Sequence, residues 1–284
     1  MLVCRFCSEV GDHDDFELDR ANGRGFWCES CDGFTYFDED ALKQFTLILE
    51  DKTGQKPSVN TPPIKLRKQL SPFRFPGGKS SVIDFLYNHL QKGKTKTLYS
   101  PFTGGGSFEF AMLDADVVER LHINDLDFGV YSVWWVMLHA PYALIDRIQS
   151  IKPTHKDYFQ AQAVIKSDYY GVNAIEAAWA TFLVNRLSYS GIAKANPLGG
   201  KGGTQKALLA RWNPKGLISR IEHIHSLSER ITVSQEDAVE FIQEAYWDDD
   251  STLFIDPPYI AAGKALYNHY YNEKDHLDLC ILLD

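Results

Sequence analysis

The segment Phe254-Ile255-Asp256-Pro257-Pro258-Tyr259 sets a carboxylate, two prolines and an aromatic ring directly after an apolar run. Such a loop is rigid and carries an acceptor, exposed carbonyls and a stacking face. An exocyclic amine of adenine or cytosine has two N–H donors. Asp256 can accept one and the Pro257 carbonyl the other, which draws the nitrogen toward the geometry in which its lone pair attacks a methyl group. Tyr259 can stack on an extruded base. Upstream, Gly104-Gly105-Gly106 lets the backbone approach a ligand where a Cβ would block it. Asp125, about 20 residues on, stands where an acidic side chain accepts both hydroxyls of a ribose. Taken singly, the glycines read equally as a tight turn and Asp125 as a helix N-cap; as a pair they suggest a nucleoside cofactor.

The elements that must position these residues alternate. Lys96 to Ser100 reads as a strand, Phe108 to Ala115 as a helix, Val118 to Ile123 as a second strand and Val130 to His139 as an amphipathic helix. Arg230 to Ser234 and Thr252 to Ile255 read as two more strands, with a helix from Ala238 to Ala245 between them. This alternation predicts an α/β fold with a parallel, doubly wound sheet, whose ligands sit at the carboxyl ends of the strands. The stretch 141–227 is longer than a crossover needs and reads as an insert. Between Asn185 and Arg230 eight Lys or Arg face only Glu222 and Glu229, a local balance of +6 that suits phosphate contacts. Gly199 to Gly203 reads as the tip of a flexible hairpin.

Composition sets the frame. The 284 residues are 44% hydrophobic and 24% charged, near the averages of globular domains, so collagen-like, disordered and coiled-coil classes are excluded. The run Val130 to Leu138 falls short of the roughly 20 residues of a membrane span, and no secretory signal opens the chain, which leads to an expected cytoplasmic location. Net charge is −9, of which residues 1–50 carry −8 from four basic and twelve acidic side chains. Within those residues Cys4-x-x-Cys7 and Cys28-x-x-Cys31 form two knuckles that predict a structural zinc site of four thiolates on a small ribbon. Cys280, single and distant, reads as a buried apolar residue. Polar, breaker-rich residues 51–63 read as a linker, leaving 64–284 as the main domain.

Asp256-Pro-Pro-Tyr259, with Phe73-Arg-Phe-Pro-Gly-Gly-Lys79 and Pro101-Phe-Thr-Gly-Gly-Gly106 before it, resembles the DNA adenine N6-methyltransferases of the Dam type, which use S-adenosylmethionine. The resemblance covers about residues 68–284 and has the family's motif order. It implies a Rossmann-like methyltransferase sheet with a target-recognition insert at about 141–227, and duplex DNA with a flipped adenine as partner. Phe75, Gly77, Gly78, Lys79, Pro101, Phe102, Gly104, Gly106, Asp125, Asp237 and Asp256 are the implied cofactor contacts. Asp256, Pro257, Pro258 and Tyr259 form the implied catalytic loop. Asp237 fits equally an acceptor for the cofactor's adenine amine or a helix cap. Phe182 to Gly191 is similar to the family's Asn-Arg segment, and Asn185, Arg186, Lys201 and Arg211 are the candidates for DNA contact. Lys79 can meet the methionine carboxylate.

Three departures accompany the resemblance. Ser100 stands where the family usually has Glu or Asp, so a polar contact near the methionine part is weakened or replaced. The ribbon is not usual in the family. The chain stops soon after Tyr259, inside an apolar helix from Asp275 to Asp284, which predicts a sheet edge open to a second polypeptide. Competing readings are a cytosine N4 enzyme, which usually carries Ser at the position of Asp256, and an inactive or split module that binds cofactor or DNA. A cytosine C5 enzyme is excluded, because no cysteine follows a proline.

Overall fold

The computed structural model describes residues 62–75, 77–90, 93–259 and 270–283, together with the backbone of short strands in the first 36 residues. These strands are β1 (Leu2–Val3), β2 (Val10–Gly11), β3 (Glu17–Leu18), β4 (Gly25–Cys28) and β5 (Gly33–Tyr36). β1 pairs with β2, and β3, β4 and β5 pair in that order, all antiparallel. The four thiolates of the expected zinc site and the linker up to Thr61 lie outside the described residues.

The main sheet has four strands, β6 (Thr97–Ser100), β7 (Arg120–Asn124), β8 (Ile231–Ser234) and β9 (Ser251–Leu253), in the order β8-β7-β6-β9. Every pairing is parallel, with Leu98 opposite Leu121, Leu121 opposite Ile231 and Tyr99 opposite Leu253. A parallel sheet needs crossovers, and helices supply them. In chain order the helices are α1 (Ile83–His89), α2 (Ser107–Asp114) and α3 (Phe128–His139). There follow α4 (Tyr142–Ser150), α5 (His155–Lys166), α6 (Ala174–Leu187), α7 (Pro214–Ser226), α8 (Ala238–Ala245) and α9 (Glu273–Leu283).

Alternation along β6 sends side chains to opposite faces. Leu98 joins Leu121, Ile123, Trp134 and Phe182 in the main core, whereas Tyr99 packs with Phe241 and Ala245 of α8. One face therefore carries most of the buried apolar surface, and α8 covers the other. α3 departs from its amphipathic reading: Val130, Val133, Trp134, Met137 and Leu138 are all buried, and Tyr131, Trp135 and His139 form its only stripe open to solvent. It runs between the sheet and α6, so a single-faced pattern has no solvent to answer to.

The stretch read as an insert is mostly a packing layer. Leu144 of α4, Ala178 and Phe182 of α6, and Ile221 of α7 belong to the same core as the sheet strands. Gly199 and Gly200, both at φ +82°, make consecutive turns in place of the expected hairpin, and Gly200 N donates to Pro197 O at 2.8 Å. Cys280 is exposed rather than buried, because α9 turns Leu279 inward and leaves Leu277 and Ile281 in solvent. Among the described residues no single helix is long and apolar enough to cross a membrane.

Asn124 ties three strand ends together. Its Nδ2 donates to the carbonyls of Pro101 and Glu236, both at 3.1 Å, and its Oδ1 accepts from Ser234 Oγ at 2.9 Å and Glu236 N at 2.8 Å. The side chain is 1% exposed, so water cannot replace these partners. Asn124→Ala should destabilise the protein by about 2–4 kcal/mol in chemical denaturation. A loss below about 0.5 kcal/mol would show that the strand ends hold without it.

Candidate active site

β6 and β9 are neighbours, but the chain leaves β6 toward β7 and returns to β9 from β8. Their carboxyl ends thus flank a topological switch point, the place where open α/β sheets hold ligands. A cavity of about 590 Å³ opens there, within the range of small-molecule sites. The loops after all four strands line it: Pro101–Ser107, Asn124–Asp127, Glu236–Val239 and Phe254–Pro258. Phe75, Gly77, Gly78 and Lys79 form a further wall. Every residue proposed above for the cofactor lines this cavity. Tyr259 stands beside it: a Cβ on Gly77 would run into its hydroxyl, and its ring centroid lies 5.8 Å from Lys79 Nζ.

The Gly-rich loop owes its shape to backbone that only glycine adopts freely. Gly106 lies at φ +61° as the N-cap of α2, and a Cβ there would strike the Phe110 ring. Gly104 packs on Phe75, where an added Cβ would stand 2.8 Å from the ring. The Gly104 carbonyl accepts from Trp134 Nε1 at 3.0 Å, and its N–H donates to Asp125 Oδ2 at 2.9 Å. Asp125 accepts also from Asp127 N at 3.0 Å, while Asp127 caps α3 through Gly129 N and Val130 N. Asp237 caps α8 through Val239 N at 2.8 Å and faces the same cavity.

One ion pair crosses the switch point. Lys79 Nζ lies 2.5 Å from Asp256 Oδ2 and donates to Gly77 O at 2.8 Å. Burial alone would lower the Lys79 ammonium, but the Asp256 carboxylate outweighs it and holds the amine above its ordinary value. For Asp256 burial wins: its carboxyl sits above its usual value despite the lysine. Burial, reinforced by the Asp127 charge, pushes Asp125 up to about 7. Burial also pushes Glu109 of α2 up to about 7, and Ser100 Oγ donates to its Oε1 at 2.8 Å.

The residues expected to touch DNA divide in two. Lys201 is exposed on a turn and Arg211 half-buried after α6. Asn185 and Arg186 are 4% and 8% exposed and spend their hydrogen bonds on backbone. Asn185 Oδ1 accepts from Arg74 N at 2.8 Å, and its Nδ2 donates to Arg74 O. Arg186 donates to Pro72 O at 3.3 Å and Arg211 O at 2.7 Å. Burial, with Arg74, Arg220 and Arg211 nearby, lowers Arg186 to about 10. In this structure both residues act as struts for segment 72–74, and Asn185 also lines the cavity.

Sequence reasoning missed Glu109 and Asn124. A lone carboxylate inside the apolar run Phe108-Glu109-Phe110-Ala111-Met112 was the available signal for the first. For the second no local signal existed, since its four side-chain partners come from two segments distant in sequence, Pro101 and Ser234–Glu236.

A parallel α/β sheet with a nucleoside-sized crevice, a Gly-rich first turn and an Asp-Pro-Pro-Tyr loop defines a class of cofactor-dependent methyltransferase site. The family described as D12 class N6 adenine-specific DNA methyltransferase matches residues 75–279, and the chain belongs to it. It is also similar to the type II methyltransferase M.MjaIII of Methanocaldococcus jannaschii, 22% identical over 232 residues, covering 74% of this chain and 78% of the relative. Membership fixes the reaction as methyl transfer from S-adenosylmethionine to the N6 amine of adenine in DNA.

The two carboxyls raised to about 7 have a consequence for stability. Their folded-state values exceed the unfolded ones, so their contribution is complete below about pH 4 and is lost as pH rises through 7. The ligand-free protein should lose stability between pH 5 and 7 by up to about 1.4 kcal/mol per pH unit for each group. Asp125→Asn and Glu109→Gln should each flatten part of that slope in thermal melts; an unchanged slope in both would contradict it.

Proposed function

We propose that the switch-point cavity binds S-adenosylmethionine and that Asp256 is the catalytic carboxylate acting on the adenine amine. The single observation that carries this reading is Asp256 at the cavity wall, after β9 and paired with the one lysine of the facing Gly-Gly-Lys segment. The donor set suits the cofactor: a cation for a carboxylate, strand-end acids for hydroxyls and an amine, and a Gly-rich turn for close approach. When bound, the cofactor supplies an electrophilic methyl group on a sulfonium.

Lys79 would hold the cofactor's carboxylate, which would free Asp256 from the ion pair. Asp125 would accept from the ribose hydroxyls, Asp237 from the cofactor's adenine amine, and Phe75 would contact the cofactor. Asp256 accepts one N–H of the target amine and the Pro257 carbonyl the other, directing the nitrogen lone pair at the methyl carbon. Transfer would exchange the cofactor's methyl–sulfur bond for the new N–C bond, leaving a neutral thioether, and Asp256 would take the proton lost by the amine, an acceptance that its raised pKa favours. Pro258 keeps the loop rigid and Tyr259 stacks on the flipped base. Lys201 and Arg211 neutralise phosphates. Within the family the motif order supports the Dam type.

We also propose that Cys4, Cys7, Cys28 and Cys31 bind one structural zinc ion. The first Cys-x-x-Cys pair follows β1 and precedes its partner β2, and the second joins β4 to β5 with Cys28 opposite Gly33. Both knuckles therefore fall in the connections of paired strands, which supports the reading. With a balance of −8, the ribbon suits partner docking or stabilisation better than a DNA groove.

Asp256→Ala should lower the rate of methyl transfer by about 10² to 10⁴ while leaving the Kd for DNA within about threefold. Wild-type turnover in this variant would refute the assigned role. Metal analysis of the full chain should find one zinc per molecule, lost on replacing Cys28 and Cys31 by serine; a metal-free, folded protein would remove the zinc site.

A further inference from the structure

Glu109 is a carboxylate that the mechanism above leaves idle. It is 2% exposed, flanked in α2 by the buried rings of Phe108 and Phe110, yet it lines the cavity. Its hydrogen bonds come from Ser100 Oγ at 2.8 Å and from its own backbone N–H. Two neutral donors compensate a buried carboxylate poorly. The charged groups that bear on it are Lys79, from the segment before α1, and Asp256, from the loop after β9. At this end of the cavity two carboxylates therefore share a single ammonium, and that ammonium already lies 2.5 Å from Asp256. Glu109 is thus left with neutral donors while the ammonium is engaged by Asp256.

An α-amino-acid end group presents a carboxylate and an ammonium on the same carbon, so it asks for one cation and one anion side by side. Lys79 and Glu109 are such a couple. Resting on the methyltransferase reading above, we propose that Glu109 receives the α-ammonium of the cofactor's amino-acid end, with Lys79 taking the neighbouring carboxylate. Lys79 then leaves Asp256 to the target amine, and the ligand's ammonium gives Glu109 a counter-ion of its own. Ser100 orients the Glu109 carboxylate toward the cavity. A carboxyl held at about 7 by burial is partly protonated in the empty protein, so ligand binding near neutrality should release a proton.

Isothermal titration of the full chain with S-adenosylhomocysteine and with its analogue lacking the α-amino group separates the possibilities. Wild-type protein should bind the complete ligand about tenfold more tightly than the analogue. Glu109→Gln should weaken the complete ligand by about tenfold and leave the analogue within about twofold. The proton release seen near pH 7 by comparing buffers should disappear in this variant. Unchanged binding, or equal weakening of both ligands, would overturn the assignment. Should Glu109→Gln fail to melt like wild type, Ser100→Ala keeps the carboxylate and removes its hydroxyl donor. That variant should weaken the complete ligand by about threefold with the analogue unaffected, and an equal effect on both would again overturn it. Wild-type protein that binds neither ligand would instead strike at the methyltransferase reading itself.

Discussion

The Lys79–Asp256 ion pair is the constraint around which the site is arranged. It joins two segments more than 170 residues apart in the chain across the crevice between β6 and β9. Neither partner is fully buried, with side chains 23% and 30% exposed, so the pair can open without stranding a charge in a dry interior. Its strength is set by competition. Asp256 together with Tyr259 holds Lys79 above its ordinary value against burial, whereas burial keeps Asp256 above its own despite the lysine. A carboxylate whose proton affinity burial raises, held by a lysine that can be drawn elsewhere, is suited to accept from a neutral amine.

The scaffold makes that pair possible by fixing the strand ends. Asn124 links the loops after β6 and β8, Asp125 holds the Gly104 N–H, and Trp134 holds the Gly104 carbonyl. Each of these contacts joins separate segments of the chain, and each is buried or half-buried. The Gly-rich turn is therefore set in place before any ligand arrives, which limits the ordering cost of binding. The second shell extends to Asn185 and Arg186, whose bonds to Arg74 and Pro72 fix the approach to the Gly-Gly-Lys segment.

Much of this arrangement was legible in the residues. α8 was readable from Asp237 as cap and from Ala238, Phe241, Ile242 and Ala245 at helical spacing. The cofactor wall was readable because glycine, a strand-end acid and a proline-rich loop each do something that few other residues can. Features that depended on neighbours distant in sequence were not. α3 looked one-sided, but α6 covers its second side; Asn185 and Arg186 looked available to DNA, but segment 72–74 closes over them. Cys280 looked like a core residue, yet only Leu279 of that stretch faces inward. Glu109 was passed over because a charge in an apolar helix run is invisible to pattern until the cavity beside it is known.

The most direct test of the central claim is the identity of the methylated nucleoside. Unmethylated duplex DNA incubated with the full chain and methyl-labelled S-adenosylmethionine, then digested to nucleosides and separated, should yield label in N6-methyldeoxyadenosine alone. Label in N4-methyldeoxycytidine would contradict the assignment of the Asp256 loop to adenine, and no labelled nucleoside from a protein that binds the cofactor would contradict its role as a catalytic site.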